Sequence, residues 1–180
     1  FYSQNIMELL YPMGENEIAS TYNIRIEESS RILQILMGSF VSISITYIYG
    51  TLLTANGNLK QLNYVAGLGV LINVILNFLF IPIFKAQGAA YTSLCVQFAT
   101  CFIQFIIAKK TFNLKLGMKF WISVFSFIIL TGITTNILKN TSLNWIYTFV
   151  ISSLSGVIIA FITKMLDYKE LKNLISASIV

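Results

Sequence analysis

The sequence predicts an all-α protein, an integral membrane bundle of five transmembrane helices, and three observations carry that prediction. Hydrophobic residues make up 56% of the 180 positions and charged residues only 11%, where a soluble domain carries about 25% charged. Five apolar segments approach the roughly 20 residues that a helix needs to cross about 30 Å of hydrocarbon. The carboxylates are confined to the ends, with none between Ser29 and Leu166. Helices are required rather than strands, because a lone strand leaves its backbone unpaired in lipid and the alternating pattern of a barrel is missing.

Residues 1–30 come first. FYSQNIMELLY reads as the end of a preceding helix, and GENEIASTYNIRIEESS as a polar link at the outer surface. The opening has no charged leader and no small-residue cleavage site, so an interior start is expected, with an N-terminal half of the same polypeptide as the missing partner. The five-helix bundle occupies 31–164. Its first span is 32–53, closed by TANGNLKQ, where Asn56-Gly57 signals a turn. The second, 62–84, carries Pro82 near its end, where the missing N–H closes a helix without cost. FKAQ leads to the third, 88–108, which opens on the small cluster Gly88-Ala89-Ala90. The lysine-rich KKTFNLKLGMK precedes the fourth, 120–138, and KNTSLN the fifth, 145–163. No loop is long enough to hold a water-soluble domain. In 165–180, Met165, Leu166, Leu171, Leu174 and Ile175 recur at helical spacing around Lys169 and Lys172, which predicts an amphipathic tail lying on the membrane.

Basic residues set an orientation. Lys60, Lys109, Lys110, Lys115, Lys119, Lys164, Lys169 and Lys172 fall on one side of such a bundle, and Arg25, Arg31, Lys85 and Lys139 on the other. The positive-inside bias then places the first and third inter-span loops and the C-terminus in the cytoplasm. Trp121 and Trp145, each near the start of a span, suit aromatic belts at opposite interfaces.

What is absent narrows the chemistry. The chain has no histidine and no mid-chain acid, so acid/base and nucleophilic devices inside the membrane are excluded and no enzyme is expected. Cys95 and Cys101, six apart on one helix, face differently; they suit neither a metal nor a disulfide and read as apolar thiols. Neither a phosphate loop nor a nucleophile elbow appears, so no cofactor is expected. The net charge of +5 comes from lysines scattered over short loops, which argues against a nucleic-acid partner and leaves membrane lipid as the surrounding partner.

Polar residues inside the spans are the candidate site. Asn73 and Asn77 lie four apart, on one helix face. Ser93, Gln97, Thr100 and Gln104 form a straight stripe on the next span. Two readings stand: the amides hydrogen-bond helix to helix, or they line a hydrated cavity. Four large amides exceed what helix contacts require, since serine and threonine serve at lower desolvation cost; the surplus favours a cavity. On the first span Arg31, Gly38, Ser42 and Tyr49 share a face with Gln34 beside it. Arg31 either snorkels into the headgroups or sets a positive charge at the cavity mouth. Thr148, Ser152, Ser155 and Gly156, and also Gly67 and Gly69, read as close-packing surfaces.

The pattern Asn73-x3-Asn77-x3-Ile81-Pro82, then Gly88-Ala89-Ala90, preceded by the turn from Leu53 to Lys60, resembles the C-terminal half of the Wzx-like polysaccharide flippases. These belong to the multidrug/oligosaccharidyl-lipid/polysaccharide exporter superfamily. LLYPMGENEIA is similar to the family's "LLYG" link. The resemblance covers about residues 6–110, and the last two spans agree in hydropathy alone. It departs at Lys85, where such sequences carry a glycine; a lysine suits a left-handed turn poorly, so a differently shaped link is expected there.

The resemblance implies one lobe of a two-lobe transporter that carries an undecaprenyl-diphosphate-linked oligosaccharide across the bacterial cytoplasmic membrane. Asn73, Asn77, Ser93, Gln97, Thr100, Gln104, Ser42 and Gln34 would then line the cavity, with Arg31 attracting the diphosphate. Ion coupling usually needs an intramembrane acid, so it is expected in the N-terminal half. The rival readings are a drug exporter of the same superfamily, a membrane-embedded polysaccharide-biosynthesis enzyme, and a scaffold that merely packs helices.

Overall fold

A computed structural model describes residues 1–15, 17–114 and 117–165. Five helices follow in order: α1 (Ser3–Leu10), α2 (Ala19–Ala55), α3 (Leu59–Thr111), α4 (Met118–Lys139) and α5 (Trp145–Ile162). Among the described residues there is no strand. Four of the helices, α2 to α5, are long and apolar enough to cross a membrane. The expected tail, 165–180, lies outside the described residues apart from Met165, as does Lys115 of the third loop.

Many large apolar side chains face outward, while hydroxyl residues are buried beside Ile26, Leu53 and Val65. Phe40, Phe78, Phe102, Ile122 and Ile162 are exposed, whereas Ser30, Ser39, Ser42, Thr92, Thr148 and Ser152 are buried. Helices in lipid gain nothing by hiding leucine from other leucines, so small and hydroxyl residues take the contacts and large apolar ones face outward.

The chain divides into two compact units, Ser3–Lys115 and a second made of Phe1–Tyr2 with Leu116–Val180. In the first, α2 runs for 37 residues, about 55 Å at 1.5 Å per residue. It starts at Ala19, so most of the segment expected as an outer polar link is helix instead. The reason is local: residues 15–37 contain neither proline nor glycine. At the helix start Glu17 accepts from Arg25 at 2.8 Å and from the Gly14 N–H at 3.3 Å, a carboxylate where the helix dipole favours one. Further along, Arg31 donates to Glu27 one turn earlier at 2.6 Å, a favourable i,i+4 pair.

Helix α3 spans 53 residues but reverses direction at Lys85, whose φ of 52° and ψ of −128° break the helical backbone. The arms 59–84 and 86–111 each hold roughly 26 residues, or about 39 Å. They are antiparallel neighbours, because a methyl built on Gly88 would sit 2.4 Å from the Phe80 carbonyl oxygen, and one on Gly69 would sit 2.9 Å from Thr100 Cγ2. These arms correspond to the second and third expected spans. The link at Lys85 corrects the expectation drawn from the missing glycine: lysine occupies the left-handed region that glycine favours. The backbone contact at Gly88 fixes the tight return, and the strain at Lys85 is the cost of keeping it. Pro82 sits within the last turn of the first arm and does not itself end the helix.

Helix α2 runs parallel to the second arm of α3. Gly38 meets Leu94, Gly50 meets Gln104, and Tyr49 stacks edge-on against Phe105 at 5.5 Å between ring centroids. Helix α1 is held on α2 by Gln34, which donates to Ser3 Oγ at 2.7 Å. Three helix ends close on a left-handed residue, Gly57, Asn113 and Lys164, with the six-to-one backbone bonds Asn58 N–H to Leu53, Leu114 N–H to Lys109 and Met165 N–H to Ala160. The predicted Asn56-Gly57 turn is one of them.

In the second unit α4 and α5 form an antiparallel pair. Gly156 faces Thr131, and Ser123 Oγ donates to the Thr163 carbonyl. Asn144 caps α5 by accepting from the Ile146 N–H at 3.1 Å. Thr148 and Ser152 are buried, and Tyr2 packs edge-on against Phe149 with its hydroxyl 3.2 Å from Ser152 Oγ. Gly67, expected in a close contact, has nothing within 4 Å of an added methyl; of the pair it is Gly69 that faces the opposite arm.

Candidate functional site

The hairpin of α3 and the neighbouring α2 build the site. A residue at i, i+4, i+7 and i+11 keeps to one helix face, and the reversal at Lys85 turns the 97–104 face back towards the 65–73 face. Between them lies a groove of about 360 Å³, whose polar lining is Thr46 from α2, Asn73 from the first arm and Gln97, Thr100 and Gln104 from the second. A second recess of about 480 Å³ continues along α2, sharing Thr46 and Gln104 and adding Thr51 and Thr54.

Hydrogen bonding divides these side chains into two sets. Thr51, Thr54 and Thr100 donate to carbonyls on their own helices at 2.8 to 2.9 Å, so they are satisfied without a partner. Asn77 Nδ2 donates to Asn73 Oδ1 at 2.8 Å. By contrast, Ser42 Oγ, Thr46 Oγ1, Asn77 Oδ1, Thr92 Oγ1 and Gln104 Oε1 are buried with no protein partner. An unpartnered buried polar atom costs about 1–3 kcal/mol, and five in one unit is a concentration that calls for water or a ligand.

The predicted residues separate accordingly. Asn73, Gln97, Thr100 and Gln104 line one groove, and Asn77 joins them through its bond to Asn73. Ser42 is buried, 1% exposed, on the face of α2 that packs on the second arm. Ser93 is half-buried and does not line the groove. Gln34 is committed to Ser3, and Arg31 is exposed and paired with Glu27, so neither reaches the groove.

Three residues were missed by sequence reasoning. Thr46, Gly50 and Gly69 complete the site: Thr46 supplies an orphan hydroxyl, and the glycines leave room for Gln104 and Thr100. The available signal was spacing, since Thr46 follows Ser42 by four and Gly69 precedes Asn73 by four.

The groove lining carries no formal charge, and among the described residues no three His, Cys, Asp or Glu side chains gather. Amides and hydroxyls both donate and accept. Such a wall can exchange hydrogen bonds with a neutral polyhydroxylated ligand; it offers no proton acceptor suited to acid/base chemistry. Compared with known proteins, the chain significantly matches no family model, no curated protein and no solved structure.

Proposed function

We propose that the chain forms one lobe of a membrane transporter that flips a lipid-linked, undecaprenyl-diphosphate-borne oligosaccharide across the bacterial cytoplasmic membrane, with its C-terminus in the cytoplasm. The observation that carries the reading is the uncharged amide and hydroxyl groove bordered by buried oxygens without partners. Sugar hydroxyls satisfy such oxygens reversibly, and a neutral wall releases them again, as a transporter requires. The resemblance built on Asn73, Asn77, Pro82 and Gly88-Ala89-Ala90 supports the same assignment. Arg31 lies outside the groove lining and is paired with Glu27 on its own helix, so its proposed part is to attract the diphosphate and not to line the wall.

The test is export. Asn77→Leu and Gln97→Leu are expected to reduce surface polysaccharide in cells while membrane abundance stays at the wild-type level. Normal polysaccharide in both variants removes the assignment of these amides to a substrate path.

A further inference from the structure

At the far end of the second arm of α3, where its apolar run ends, lies a groove of about 850 Å³ that the proposed transport path does not use. Its floor is apolar: Phe102, Phe105, Ile106 and Leu114. Its rim is cationic, from Lys109 and Lys110 in the last turn. The walls are fixed rather than loose. Phe105 stacks edge-on against Tyr49, and Asn113 in the left-handed conformation folds Leu114 back so that its N–H donates to the Lys109 carbonyl at 3.2 Å.

The placement follows from length. An arm that enters hydrocarbon near Gly88 leaves it about 20 residues later, next to Ala108, so Lys109 and Lys110 stand at headgroup depth while Phe102 and Ile106 remain at acyl-chain depth. A ligand that matches needs a negative head and a hydrocarbon body joined at that boundary.

We infer that this groove is a binding site for an anionic phospholipid of the surrounding bilayer, its phosphate held by Lys109 and Lys110 and its acyl chain laid on Phe102 and Ile106. Charge complementarity selects the occupant: two adjacent lysines rim the groove, and a zwitterionic headgroup offers its phosphate together with a repelled cation. The inference rests on the membrane setting and on neither the substrate nor the central groove.

The full chain in neutral detergent micelles, given equimolar phosphatidylglycerol and phosphatidylcholine, reads the site by native mass spectrometry. Wild type is expected to retain phosphatidylglycerol preferentially. Lys109→Gln/Lys110→Gln should lower that retention about thirtyfold, from the attraction that two juxtamembrane lysines supply. Lys60→Gln/Lys139→Gln, which removes the same charge elsewhere, should leave it unchanged. Ile106→Trp fills the groove with both lysines in place and should also lose the lipid. Equal loss in the two lysine pairs, full retention in Ile106→Trp, or equal binding of the two phospholipids overturns the site; an export defect in Asn77→Leu with any of these results leaves the transport reading standing separately.

Discussion

Replacing Gly88 by alanine tests the hairpin on which the site depends. The added methyl would lie 2.4 Å from the Phe80 carbonyl oxygen and 2.6 Å from its carbon. Reaching even the tight 3.0–3.4 Å range requires the arms to part by roughly 0.6–1.0 Å, in a packing that does not compress. The obstacle is backbone, which cannot rotate away as a side chain does. Overpacking of this kind costs about 1–3 kcal/mol, against which alanine recovers up to about 1 kcal/mol of helix propensity. Gly67→Ala is the matched control, because nothing lies within 4 Å there and only the propensity gain of about 1 kcal/mol applies. Reversible unfolding of the full chain in mixed micelles should therefore separate the two variants by about 2 kcal/mol, with Gly88→Ala the weaker. Equal stability would show that the arms do not touch at Phe80, and with that contact the groove geometry would fall.

Other outcomes follow from the same contacts. Lys85→Gly relieves a left-handed backbone costing about 1–3 kcal/mol but loosens the unfolded chain, so it should stabilise by about 1 kcal/mol; a destabilised variant in the same unfolding assay contradicts the φ of 52°. Gln104→Met removes a buried acceptor without a partner and should stabilise the detergent-solubilised chain by about 1–2 kcal/mol while lowering export, and a loss of stability would mean that the amide is already satisfied. Gln34→Leu breaks the bond to Ser3 and should cost about 0.6–2 kcal/mol without changing export per folded molecule, as measured against membrane abundance. With Cys95 and Cys101 replaced by serine, Asn73→Cys should react with a membrane-impermeant thiol reagent in intact membranes and Phe98→Cys, on the outward face, should not; the reverse order would mean a dry groove.

The long apolar helices were legible because a length and a composition suited to hydrocarbon are met by few sequences by chance, and Asn56-Gly57 was legible because the turn needs φ of 80° at Gly57. The start of α2 was not. Polarity at Glu17, Arg25, Glu27 and Glu28 reads as a loop, yet polar residues make helix as well as loop, and only a proline or glycine would have forced the difference. Lys85 was misjudged for a different reason: local preference disfavours the left-handed region, while contacts between residues eight apart, Phe80 and Gly88, impose it. The gathering of Asn73, Gln97 and Gln104 on one groove required the direction of each helix, which spacing supplies along a helix but never between helices. Gln34 illustrates the limit, since its face is predictable and its partner on α1 is not.

The midway position of Lys85 in α3 has a consequence for biogenesis. In the proposed orientation, with both feet of the hairpin in the cytoplasm, the lysine at the crest traverses the full oil layer as the pair goes in. Crossing its centre costs a lone lysine about 2.5–3.5 kcal/mol, which two greasy legs entering together outweigh and one entering alone must meet by itself. On that reading, arms delivered together as a folded staple, clasped at Gly88, carry the charged crest across at lower cost than either leg alone.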